Sequence, residues 1–294
     1  MPIGLTGMIA IVAVIEASLA ARDPGPTNPL ADIWAEAYAE ADSEEVRNSA
    51  VLCLGDSQVK LGLNAVELGR RLGVPAYNLA VHAGQPAASE ALLRRALDAG
   101  ARPRAIVLGF HPAVLAYEAR TNARQWPEVL GWRGCLGLAI EARDARLAVL
   151  GMLRLAFPSC KSRLEIRRDV LAALRGSVDP ALVEIARGRA ERAKNRGSVV
   201  AASVPGFRDE RGPESGMARA SSWTPRRENL TALRRLLALA ESRRIAVYWV
   251  TPALSPGERD HRDRSGLTAA YDRLLGRLQE EFPAMVVLEA SALE

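Results

Sequence analysis

The chain is poor in the residues that cross-link small proteins or bind metals. Its 294 residues include three cysteines, Cys53, Cys135 and Cys160, and three histidines. The cysteines lack the spacing of a metal site and form no recognisable disulfide framework. Cys53 lies in a predicted strand, where a small apolar side chain packs well. A disulfide between Cys135 and Cys160 is an alternative if the protein is exported. We expect no metal and no cofactor.

Lysine is also scarce, and arginine supplies nearly all of the positive charge. Of 39 basic residues against 34 acidic ones, only Lys60, Lys161 and Lys194 are lysines, and the net charge is +5. Residues 161–211 hold twelve basic and seven acidic side chains, an excess equal to the whole net charge. This excess fits an anionic partner, such as an envelope polymer or lipid headgroups, or a solvated helical face. Phe207 is the only aromatic residue of this segment, so it lacks the aromatic interleaving that stacking on nucleic-acid bases requires, and we expect no nucleic-acid partner.

No lysine or arginine precedes the N-terminal apolar run. Residues 3–15 are uncharged and mostly apolar, Glu16 interrupts, and the apolar pattern resumes as far as Arg22. The length of the run suits a signal-peptide core better than the roughly twenty residues of a membrane span, and residues 18–20 offer a small-x-small cleavage pattern. Residues 1–22 therefore predict a signal peptide or membrane anchor, and with it an envelope location rather than a cytoplasmic one. The alternative is a buried N-terminal helix.

The remaining residues, 23–294, predict one α/β domain. The contents of 49% hydrophobic and 25% charged residues are typical of a folded protein. Continuous apolar runs indicate parallel strands buried on both faces. The predicted strands are 50–54, 76–81 and 105–110, with helices at 64–73 and 87–99 between them. Asn64 and Glu67 form a capping-box pattern at the start of the first of these helices. This alternation predicts right-handed crossovers and a parallel sheet.

Strand patterns are missing from about residue 114 to residue 222, which indicates a helical insertion. The α/β alternation then resumes. Thr224 as N-cap and Pro225 at the first position predict the next helix. Strands at 245–250 and 285–288, with a helix at 267–278, complete a sheet of about five strands. The predicted fold class is a three-layer α/β/α sandwich.

Three loops are predicted to meet at one edge of this sheet. Gly55-Asp56-Ser57 follows the first strand, Gly84 lies in the loop after the second, and His111 follows the third. Ligands of open α/β sheets bind beyond the carboxyl ends of the strands, so Ser57 is the candidate nucleophile. The backbone N–H groups of Ser57 and Gly84 and the side chain of His111 are the candidate oxyanion hole. Ordinary turn chemistry is the alternative for the Gly-Asp-Ser tripeptide alone.

These positions resemble the SGNH, or GDSL-type, hydrolase superfamily. Its members carry a G-D-S serine after the first strand, a glycine after the second and an asparagine in a G-x-N-D block after the third. Residues 55–57 match the first block, and residues 78–84 resemble the second with the glycine displaced by about one position. Residues 109–112 keep the glycine of the third block but place His111 at the asparagine and Pro112 at the aspartate.

The resemblance covers residues 50–112 by motif and residues 224–294 by architecture only. It implies a flavodoxin-like α/β/α fold in which Ser57 hydrolyses or transfers ester-linked acyl groups of a small molecule or polysaccharide. The layout, with its arginine-rich helical middle, also looks like envelope-associated SGNH-like proteins of bacteria.

The family's fourth block, D-x-x-H, is not found after the fifth predicted strand. We expect the catalytic Asp/His pair to lie beyond residue 294, because a serine without a base is a weak nucleophile. Glu258 and His261 imitate the block but follow the fourth strand. They are a weaker candidate for the base, and are otherwise a polar loop leading into a helix. His82 is predicted to be a structural loop histidine.

Two other classes of function stay open. A catalytically inactive SGNH-like binding or scaffold protein would account for the altered third block and the missing fourth. A flavodoxin-like phosphate-binding module would place the first loop at a helix N-terminus, but the chain has no glycine-rich signature to support it.

Overall fold

A computed structural model describes residues 3–22, 29–161, 163–176, 180–200, 223–251 and 254–289. Its centre is a five-stranded sheet in which every neighbouring pair is parallel, in the order β2-β1-β3-β4-β5. The strands are β1 (Val51–Gly55), β2 (Ala76–Asn78), β3 (Ala105–Gly109), β4 (Ala246–Thr251) and β5 (Met285–Glu289). Helices flank the sheet, so the predicted α/β/α sandwich is confirmed.

The helices fall into three groups along the chain. Before β1 lie α1 (Ile3–Arg22), α2 (Pro29–Glu40) and α3 (Glu44–Arg47). Between β1 and β3 lie α4 (Ser57–Gly62), α5 (Ala65–Leu72) and α6 (Pro86–Asp98). After β3 come α7 (Pro112–Ala116), α8 (Trp126–Ala142), α9 (Ala145–Ala156), α10 (Pro158–Lys161), α11 (Arg163–Leu174), α12 (Pro180–Lys194), α13 (Arg227–Ser242), α14 (Pro256–Arg264) and α15 (Leu267–Glu281).

The central strands are buried on both faces. Leu52 and Leu54 of β1 belong to a large apolar cluster with side chains of α6, α8 and α13. Val51 and Cys53 point to the opposite face, into a smaller cluster that includes Val59 of α4. Because both faces are covered, β1 needs apolar residues at successive positions, which accounts for its continuous apolar run.

Strand β2 ends earlier than predicted, at Asn78 rather than residue 81. The Asn78 side-chain amide donates to the Val59 and Leu63 carbonyls, and its oxygen accepts from the Ala80 N–H. The Leu79 and Val81 N–H groups still donate to the Cys53 and Gly55 carbonyls of β1, so the chain stays beside β1 beyond the end of β2. The preceding helix, α5, follows prediction, with Asn64 as its N-cap and Gly73 in the left-handed region at its C-cap.

Two local predictions are wrong. The helix expected to start with Thr224 and Pro225 starts at Arg227 with Arg226 as N-cap. The Arg226 N–H donates to the Leu115 carbonyl at 2.8 Å, so the preceding residues run alongside α7 instead of coiling. The expected polar loop at residues 258–261 is part of helix α14, which Ser255 caps through the Glu258 N–H.

The described residues between 114 and 200 contain helices and no strand, as predicted, and residues 201–222 lie outside the described ranges. The described side chains of α1 are mostly exposed, so the alternative of a buried N-terminal helix is wrong. Among the described residues, no helix combines the length and hydropathy of a membrane span. The signal peptide or anchor stays a prediction. Cys135 and Cys160 are free thiols, so the Cys135–Cys160 disulfide is not formed.

Candidate active site

Ser57 is the first residue of α4 and follows directly on β1. Gly55 makes the turn between them, with φ +140°, and a Cβ at this position would collide with the Gly109 carbonyl oxygen. Asp56 caps α4 by accepting the Gln58 N–H at 2.8 Å. Ser57 is half-buried, and its hydroxyl has no hydrogen-bond partner within the described part of the chain. The hydroxyl is therefore available at the carboxyl edge of the sheet.

The Asp56 carboxylate ties the loop after β1 to the loop after β3. Its second oxygen accepts the His111 N–H at 2.6 Å, and the Asp56 N–H donates to the Gly109 carbonyl at 3.2 Å. Burial raises the pKa of Asp56 to about 6, while the N–H groups of His111 and Gln58 act in the opposite direction. The Asp56 carboxyl group is thus mainly ionised at neutral pH, and it holds the loop after β1 against the loop after β3.

Gly84 lies against the same turn. A Cβ on Gly84 would be 2.9 Å from the Gly55 carbonyl oxygen, so only glycine allows this approach. The Gly84 N–H, however, donates to the Val81 carbonyl at 3.1 Å. The structure therefore brings Gly84 to the site, but the N–H that was predicted for the oxyanion hole has a partner within its own loop.

His111 also reaches the site with its ring engaged. The ring Nδ1 faces the Ala113 N–H at 3.0 Å, and Nε2 contacts the Arg262 guanidinium. Burial and the charge of Arg262 lower the pKa of His111 to about 4, so the imidazole is neutral at pH 7. Two donors face its two nitrogens, and a neutral ring accepts at only one of them. The ring has no unengaged donor for an oxyanion unless Arg262 moves.

Helix α14 contributes Arg262 rather than His261 to this contact. Arg262 is buried, and its Nε donates to Glu258 at 2.6 Å. Glu258 thus pairs with Arg262, and within the described residues no hydrogen bond joins His261 to Ser57 or to Glu258. The role of Glu258 and His261 as a base stays a prediction. His82 lies in the loop after β2, where its carbonyl accepts the Trp34 indole N–H at 2.9 Å.

A cavity of about 230 Å³ opens beside the start of α4, at the ends of β3, β4 and β5. Phe110, Leu267 and Tyr271 supply apolar walls, and Gln58 and Arg262 supply polar ones. Tyr271 is fixed, because its hydroxyl donates to the Phe110 carbonyl at 2.6 Å. A larger cavity of about 680 Å³ between α6, α8 and α13 is lined by charged side chains and lies away from Ser57. The smaller cavity is the better candidate for substrate because it adjoins the serine helix.

Lys60 is a residue that sequence reasoning missed. It is buried three residues after Ser57, and its Nζ donates to the Asn78 carbonyl at 3.4 Å. Burial lowers the pKa of Lys60 to about 7, with Glu36 acting in the opposite direction. The spacing Ser57-x-x-Lys60 could have indicated it, because residues i and i+3 share one side of a helix.

A buried ion-pair cluster borders Lys60. Asp32 of α2 is fully buried and accepts from Arg192 at 2.6 Å and from Arg189 at 2.7 Å. Arg192 is itself buried and also contacts Glu36. The cluster joins α2 to α12 and fixes the charged surroundings in which the Lys60 ammonium titrates.

Comparisons of this chain with family models, with curated proteins and with solved structures found no match.

Proposed function

We propose that the protein is an SGNH-like serine esterase or acyl transferase that acts on ester-linked acyl groups with Ser57 as nucleophile. The observation that carries this proposal is the position of the Ser57 hydroxyl. It lies at the start of a helix, at the carboxyl edge of a parallel sheet, with no hydrogen-bond partner among the described residues, and the next residue, Gln58, lines a cavity. This is where ligands of open α/β sheets bind.

The proposed reaction has two steps. The Ser57 oxygen attacks the acyl carbon and its proton passes to a base, after which the alcohol leaves with a proton and the acyl group stays on the serine. Water or a second alcohol then attacks the acyl-serine and regenerates the hydroxyl. The Ser57 N–H, at the first position of α4, is the nearest donor for the oxyanion, and donors from Gly84 and His111 require a rearrangement when substrate binds.

Lys60 is the base that we propose for this step. A pKa of about 7 leaves a large fraction of the amine neutral and able to accept a proton at physiological pH. Lys60 follows Ser57 by three residues on α4, so the two residues share one side of the helix. The alternative base is His261 with Glu258, although Glu258 pairs with Arg262.

Turnover of p-nitrophenyl acetate by purified variants tests both assignments. We expect Ser57→Ala to lower the rate by a factor on the order of a thousand to a million. Ser242→Ala, an exposed serine on α13, is the matched control and should leave the rate unchanged. Lys60→Met should abolish turnover if Lys60 is the base, whereas loss in His261→Ala alone would assign that role to His261. Activity that survives Ser57→Ala would contradict the proposal.

A catalytically inactive binding or scaffold protein is the second candidate. The internal bonds of the Gly84 N–H and of both His111 ring nitrogens favour it, since they leave the oxyanion hole incomplete. A folded wild-type protein that binds an acylated oligosaccharide saturably but does not hydrolyse it would support this function instead.

A further inference from the structure

Exposed apolar side chains are concentrated in one part of the molecule. More than half of the large apolar side chains that are exposed in the described residues belong to α1 or to residues 126–157. On α9 the usual pattern is reversed, because the side facing solvent is apolar. We call this the α9 surface; its side chains are Val149, Leu150, Met152, Leu153, Leu155 and Phe157.

The α9 helix is linked to the apolar helix α1 through α10. Helix α10 contacts both α9 and α1. Glu16, the only acidic residue of α1, accepts the Ser159 N–H at 3.0 Å and also contacts the Ser159 hydroxyl. The carboxylate that interrupts the N-terminal apolar run is therefore hydrogen-bonded to α10, which links α1 to α9.

Along the chain, basic residues precede and follow the residues of this surface. Residues 143–175 contain eight basic and three acidic side chains. Arg143 and Arg146 are exposed at the start of α9, and Arg167 is exposed on α11 beyond its end. Arg146 lies one helical turn before Val149 and on the same side of α9. An apolar strip flanked by arginine matches the acyl and headgroup layers of an anionic bilayer.

We propose that the α9 surface docks on a membrane that contains anionic lipid, as a second contact in addition to α1. The α9 helix lies in the plane of the interface, with its apolar side chains among the acyl chains and its arginines at the phosphates. Residues 201–222 are a poor occupant for the same surface, because their sequence is rich in Gly, Ser and charged residues. The proposal is independent of catalysis by Ser57.

Cys160 provides a local probe for this contact. It is exposed, whereas Cys53 and Cys135 are buried, so a thiol-reactive environment-sensitive fluorophore labels it selectively. We expect the labelled full chain to bind vesicles of phosphatidylcholine and phosphatidylglycerol, with a blue shift of the emission and quenching by lipids that carry a nitroxide. Vesicles of phosphatidylcholine alone should bind several-fold more weakly, and equal binding would overturn the anionic assignment.

The double variant Val149→Asp/Met152→Asp tests the α9 surface directly. We expect its vesicle partition coefficient to fall about tenfold or more, because two apolar contacts become charged. Val66→Asp/Leu72→Asp, on the exposed side of α5, is the matched control and should bind as wild type. Absence of vesicle binding would overturn the proposal. So would binding in which the Cys160 probe stays in water, since α1 would then be the sole contact.

Measurements without vesicles test whether protein, rather than lipid, covers the α9 surface. A probe that is already shielded in the absence of lipid, with a concentration-dependent increase in mass, would show that a second copy covers the surface. Shielding in a monomer would show that another part of the same chain covers it. Either result would overturn the membrane assignment.

Discussion

The carboxyl edge of the sheet and the α8–α9 pair differ in how closely the backbone is packed and in whether the apolar side chains are buried or exposed. At the edge, Gly55, Gly84 and Gly109 let neighbouring loops approach within contact distance, and the apolar side chains are buried. Around Gly137 of α8 there is open space, and the side chains that face outward on α9 are apolar. The difference indicates that the loops at the sheet edge are held in fixed positions, whereas the α8–α9 pair exposes an apolar surface.

The largest effect is expected at Gly55. In Gly55→Ala the new Cβ would meet the Gly109 carbonyl oxygen, at a φ that L-residues rarely adopt. We expect a loss of free energy of unfolding of more than about 4 kcal/mol, because neither backbone can yield without breaking the β1–β3 ladder. Urea denaturation followed by circular dichroism measures it. A loss below about 1 kcal/mol would mean that the edge is looser than the structure indicates.

Next in size is the ion-pair cluster between α2 and α12. Arg192→Met removes a main partner of the buried Asp32 carboxylate and of the half-buried Glu36 carboxylate, and we expect a loss of about 3–5 kcal/mol. Arg189 also pairs with Asp32, but about half of its side chain is exposed, so Arg189→Met should cost about 1 kcal/mol or less. Equal losses in the two variants would contradict a role for burial in this difference.

A pH-dependent effect is expected at Lys60. Burial lowers its pKa from the ordinary 10.5 to about 7 in the folded protein, so unfolding takes up a proton between these pH values and wild-type stability rises with pH. Lys60→Met has no titrating group at this position, so its stability lacks this pH dependence. The free energy of unfolding of wild type relative to Lys60→Met should therefore rise by up to about 1.4 kcal/mol per pH unit from pH 7 to 9. Parallel stability curves for the two proteins would show that Lys60 titrates normally.

The smallest effect is expected at Gly137, within α8. Nothing lies near a Cβ built there, so Gly137→Ala should gain about 0.5–1 kcal/mol from helix propensity and reduced unfolded-state entropy. Thermal denaturation should show a small rise in Tm. A decrease would mean that α8 is packed more closely at this point than the structure shows, and would weaken the contrast with Gly55.

The sequence by itself determined the five parallel strands and the helices α5, α6 and α15 between them, but not the order of the strands in the sheet. The apolar run of β1 and the Asn64 and Gly73 caps of α5 carry local signals, because burial on both faces and helix ends constrain residue type directly. It also placed Ser57 at the end of β1. Thr224 and Pro225 predicted a helix start equally clearly, and this prediction was wrong. The Arg226 N–H donates to the Leu115 carbonyl, and Arg226 is extended, so the helix begins only at Arg227.

Only the tertiary structure decided what surrounds Ser57. It paired Arg262 with His111, engaged the Gly84 N–H within its own loop and buried Lys60 beside the Asp32–Arg192 cluster. It also left the apolar side of α9 outward, although its sequence is as apolar as a core helix. Composition fixes how apolar a segment is, but burial, pKa values and hydrogen-bond partners depend on side chains brought together from distant parts of the chain.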